Sequence, residues 1–63
     1  MKLTNGQKVR KIRHNLGLTQ AELATLLFLS TRTIERWEVG ESNCSAAYLQ
    51  QVEMLAERLK LKN

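Results

Sequence analysis

The stretch LTQAELATLLFLSTRTIERWEVG, Leu18 to Gly40, decides the fold of this 63-residue chain. Its closing part, from Ser30, reads as a helix with two unlike faces. At 100° per residue Ser30, Ile34 and Trp37 fall within about 60° of one another, while Arg32 and Arg36 lie on the opposite side. The opening part begins a helix of its own: Thr19 and Glu22 form a T-x-x-E capping box, and Leu18 and Leu23 flank it as a hydrophobic staple does. Only Phe28 and Leu29 separate the second helix from the Ser30 cap. So short a turn, with an apolar residue to plug the corner, makes the two helices cross steeply rather than lie antiparallel.

The same punctuation extends in both directions. The chain has no proline, so its helices must be delimited by caps and glycines. Thr4 and Gln7 form a second box, T-x-x-Q, and Gly17 and Gly40 stand where a helix ends in a left-handed residue. These signals predict helices over about 4–15, 19–27, 30–39 and 45–60. Nothing alternates with period two over a useful length, so the fold class is all-α. Helical spacing puts Val9, Ile12 and Leu16 on one face of the first helix and Leu23, Ala24 and Leu27 on one face of the second. Ile34 and Trp37 add to this core from the third, and Leu49, Val52, Ala56 and Leu59 from the fourth. No repeat, linker or low-complexity segment divides residues 1–63, which form a single compact domain.

Size and charge narrow the function. A chain this short buries only about 60% of its surface on folding, leaving little room for an enclosed active site. With one cysteine, Cys44, and one histidine, His14, it can form neither an internal disulfide nor a His/Cys metal site. Cys44 is expected to be a structural or exposed thiol and His14 a plain surface residue. No acid/base pair in a cleft is evident, so neither catalysis nor a cofactor or small-molecule ligand is expected. No apolar run approaches the ~20 residues that span a membrane, and Met1 is not followed by a signal-peptide core, so the expected location is the cytoplasm. The net charge of +4 is unevenly spread: residues 1–16 carry +5 with no acid, residues 17–43 carry −2, and the remainder +1. A basic first segment of this kind attracts polyanions such as nucleic acid or an anionic membrane. A membrane role is the poorer of these, since the apolar face of the first helix is needed in the core.

Gly17-Leu-Thr-Gln-Ala-Glu-Leu-Ala24, then Leu29-Ser30, Ile34, Trp37-Glu38 and Gly40, resembles the helix-turn-helix of the phage repressor and Cro-type (XRE) family of transcriptional regulators. The likeness reaches Ile12-Arg13 upstream and runs into the fourth helix downstream. It implies a four-helix lambda-repressor-like domain and a double-stranded DNA partner, with the helix from Ser30 lying in the major groove. The matching base-reading positions are Thr31, Arg32 and Arg36, with Thr33 beside them. Arginine suits guanine because its fork meets O6 and N7 together, and threonine offers a hydroxyl and a methyl. Thr19 and Gln20, at the start of the second helix, match phosphate-gripping positions, and Ser42 and Asn43 serve the same purpose after the third. Arg13 and Glu38 match a buried pair that ties the first helix to the recognition helix. The implied function is a repressor or autoregulator on a palindromic operator; the alternative is an antitoxin-type module that also binds its own operator.

Several residues depart from the family pattern. Phe28 stands where a glycine is usual, and Glu41 follows Gly40 where a basic residue is common. Glu35 sits near the binding face, where it either orients Arg32 or accepts from a cytosine amine. On the fourth helix Ala47, Met54 and Leu61 recur every seven residues away from the main apolar face. A family that binds as a two-fold dimer gives that stripe a use, and Met54 and Leu61 are the expected homodimer contacts.

Overall fold

The computed structural model describes residues 3–61, and of Leu61 the backbone alone. Four helices follow in order: α1 (Asn5–Leu16), α2 (Gln20–Leu27), α3 (Thr31–Val39) and α4 (Ala46–Leu61). Helix α1 packs against α3 and α4, and α2 against α3. There are no strands among the described residues.

Local hydrogen bonds account for the boundaries. The hydroxyl of Thr4 accepts from the Gln7 amide at 3.1 Å, and Gln7 Oε1 accepts from the Thr4 amide at 2.9 Å. Thr19 and Glu22 repeat the arrangement at 3.1 and 2.8 Å. Each box satisfies two amides that a helix start leaves without partners. Ser30 caps α3 through the Thr33 amide, and its hydroxyl lies 2.9 Å from that of Thr33. Gly17 and Gly40 close α1 and α3 at φ 72° and 85°, where an added Cβ would cost energy.

The core is contiguous. Val9, Leu23, Ile34 and Val52 are fully buried, with Ala24, Trp37, Cys44 and Leu49 around them. Ile12, Leu18, Leu27, Leu29, Tyr48 and Leu55 pack against that cluster from its edge. Trp37 meets Tyr48 in a tilted pair with centroids 5.2 Å apart, an arrangement aromatic rings favour. Leu16, Ala56 and Leu59, expected in the core from helical spacing, are only half-buried. Cys44 resolves as buried: the loop after α3 turns it inward, where Asn5 Nδ2 donates to its carbonyl at 2.9 Å.

Two positions are decided by packing and not by the sequence. Leu29, not Phe28, plugs the corner between α2 and α3; Phe28 is 95% exposed. It nevertheless adopts the left-handed geometry of the usual glycine, φ 59° and ψ 39°, and its amide caps α2 on the Ala24 and Thr25 carbonyls. The turn keeps its shape because the chain reversal demands it, and a residue with a Cβ absorbs the strain. Gly6 is the second. It is buried in the first turn of α1, and a Cβ there would lie 1.8 Å from the Trp37 carbonyl oxygen. Backbone of α1 therefore rests directly on the end of α3.

Both positions yield tests. Phe28→Gly removes a left-handed penalty of about 1–2 kcal/mol and adds a smaller entropic cost; a stability gain of about 0.5–1 kcal/mol is expected, read as a higher denaturant midpoint at unchanged m value. Gly6→Ala must push α1 off α3, because the obstructing atoms are backbone, and is expected to cost about 3 kcal/mol in the same measurement.

Candidate nucleic-acid interface

Helix α3 is held by one side and open on the other. Ile34 and Trp37 are buried, while Arg32 and Arg36 are exposed half a turn away. Thr31 and Thr33 are half-buried at the entry to the helix. The bond between the Thr33 and Ser30 hydroxyls occupies part of Thr33's capacity. Arg32, Arg36, Glu35, Gln20, Val39 and Glu41 line an open cleft of about 390 Å³.

What holds α3 in place is a polar joint. Arg13 Nε and Nη2 donate to Glu38 Oε2 and Oε1 at 2.8 and 2.9 Å, and Nη1 donates to the Leu18 carbonyl at 2.9 Å. Gln20 Nε2 donates to the same Glu38 Oε1 at 3.1 Å. The side chains of Arg13 and Glu38 are only 11% and 4% exposed. A bidentate fork of this kind is directional as well as strong. One guanidinium thus joins α1, the loop before α2, and α3. Burial pushes the Glu38 carboxyl up, but the hydrogen bonds from Arg13 and Gln20, with the charges of Arg13 and Arg10, outweigh it and hold the group below its ordinary value. The Glu38 hydrogen bond correspondingly raises the Arg13 value against a smaller effect of burial. Burial raises the Cys44 thiol, keeping it protonated.

The phosphate candidates divide. Thr19's hydroxyl already accepts the Glu22 amide, and Gln20 spends one amide hydrogen on Glu38, leaving the other. Ser42 is half-buried and Asn43 exposed in the loop after Gly40, where the Glu41 and Ser42 amides both turn back onto the Arg36 carbonyl. Glu35 does not pair with Arg32; the contact on this face is Arg36 with Glu41, Nε to Oε2 3.9 Å, both well exposed. Such a surface pair is worth well under about 1 kcal/mol and leaves Arg36 free to exchange partners. His14 is exposed on α1, and no cluster of metal-ligating side chains occurs among the described residues. No helix among them is long and apolar enough to cross a membrane.

The helix-turn-helix family model matches residues 9–55, well over half of the chain. The chain belongs to this family, the XRE-type helix-turn-helix regulators, whose members are DNA-binding transcription regulators. No curated protein and no solved structure gives a significant match.

The joint can be tested without DNA. Arg13→Met leaves the Glu38 carboxylate buried with Gln20 alone and is expected to cost about 3–5 kcal/mol. Because Glu38 titrates lower in the folded chain than in the unfolded one, its contribution is complete above the ordinary glutamate value of about 4.3 and is lost as pH falls through the folded value. Stability against pH is therefore expected to fall on the acid side for the parent and to flatten there for Arg13→Met.

Proposed function

We propose that this chain represses or autoregulates transcription by binding a palindromic operator as a homodimer, with α3 in the major groove. The observation that carries the reading is the division of α3: its buried face and its polar joint hold the helix, and two exposed arginines stand on the other face. Arg32 and Arg36 read guanine edges, Thr31 and Thr33 contact bases beside them, and Thr19, Gln20, Ser42 and Asn43 hold the flanking phosphates. The buried pair of Arg13 and Glu38 sets the angle at which the helix enters the groove and does not touch DNA.

One recognition helix reads only a few base pairs, so a second copy is needed for a useful site. Met54 supports α4 as the contact surface: it is 54% exposed and borders a shallow groove with Leu26, Leu55 and Arg58. Leu61 is its proposed companion, although its side chain lies outside the described residues.

Selection of bound duplexes from a random pool tests both parts. An inverted repeat with half-sites about 34 Å apart is expected. Arg32→Ala and Arg36→Ala should each relax preference at one base pair per half-site, at about 1–3 kcal/mol, whereas Gln20→Ala weakens all sequences alike. Unchanged base preferences in both arginine variants overturn the assignment to α3, and a lone half-site overturns the dimer.

A further inference from the structure

The recognition cleft is electrostatically balanced: Arg32 and Arg36 are matched by Glu35 and Glu41 along the same walls. Such a face can read bases, but it offers little net attraction for a phosphate backbone. The charge excess of the chain sits on α1, whose basic side chains lie around much of the helix. Their positions differ in one respect that matters. A second open cleft, of about 540 Å³, adjoins the recognition cleft and shares Gln20 and Val39 with it. Arg10 lines this second cleft with Arg13, Glu38 and Thr19. Arg13 and Glu38 cancel each other there, so Arg10 supplies its net charge. Arg10 is exposed and has no acidic partner within ion-pair distance among the described residues. The surface thus runs without a break from Arg32 and Arg36, past Gln20, to Arg10.

Resting on the DNA reading above, we infer that Arg10 binds a backbone phosphate of the duplex, extending the footprint from α3 across Gln20 onto α1. The contact is sequence-independent, because a guanidinium on a phosphate reads no base edge. It supplies the attraction that the balanced recognition face lacks. Lys8 provides an internal control. It belongs to the same helix and carries the same charge, but lies about 160° around the axis from Arg10, away from the shared clefts.

The experiment is the salt dependence of affinity for a selected duplex and for an unrelated one, using the parent chain, Arg10→Gln and Lys8→Gln. Each neutralised phosphate contributes about 0.9 to the slope of log affinity against log salt. Arg10→Gln is expected to reduce the slope by that amount on both duplexes. Between 50 and 200 mM salt it should therefore lose about three- to fourfold less affinity than the parent. Base preferences stay unchanged, and Lys8→Gln keeps the parent slope. Equal slopes for parent and Arg10→Gln, or equal reductions in the two variants, overturn the contact while leaving duplex binding in place. A parent chain that shows no salt-dependent duplex binding overturns the DNA reading itself.

Discussion

The placement of α3 depends on the buried fork between Arg13 and Glu38. Helix α3 has nine residues, too few to hold its shape in isolation, and its apolar face fixes depth better than direction. Hydrophobic contact is non-directional, whereas two parallel N–H···O bonds define an angle. With Nη1 on the Leu18 carbonyl and Gln20 on Glu38, the same few atoms also position the start of α2. No buried side-chain polar atom among the described residues lacks a partner. That is the condition under which a buried charge pair avoids the cost of leaving water unmatched.

Two backbone features complete the constraint. The first turn of α1 sits against the Trp37 carbonyl at a distance only glycine permits, so the helix bearing Arg13 is held close to the end of α3. The tight turn at Phe28 sets the relation of α2 to α3. That the turn survives a phenylalanine in left-handed geometry shows how strongly its surroundings determine it, since the ring gains nothing from burial. Strain persists in a fold only where neighbouring contacts over-determine the backbone.

The charge distribution gives the two basic regions different duties. On α3 the arginines share their face with glutamates, and a carboxylate nearby penalises a misplaced anion. On α1 there is no acid among residues 5–16, which suits long-range attraction. The apolar side of α1, centred on Val9, is consumed in the core.

Features that depend on interactions a few residues apart are legible in the sequence. The two capping boxes, the Ser30 cap and the glycine ends follow from hydrogen bonds spanning three or four residues, and the helix limits fall within one residue of expectation. The faces of α3 follow from helical periodicity for the same reason. The pairing of Arg13 with Glu38 is visible in the sequence only through family likeness, because nothing local links residues 25 apart. Tertiary structure alone decided the rest. Gly6 looks like any glycine near a helix start until Trp37 is folded over it, and Cys44 is a loop residue until Asn5 draws the loop inward. The bond from Gln20 to Glu38 exists only once α2 and α3 are side by side. Leu29 rather than Phe28 fills the corner because the left-handed turn directs one side chain inward and its neighbour out, a choice hydrophobicity cannot make between two apolar residues.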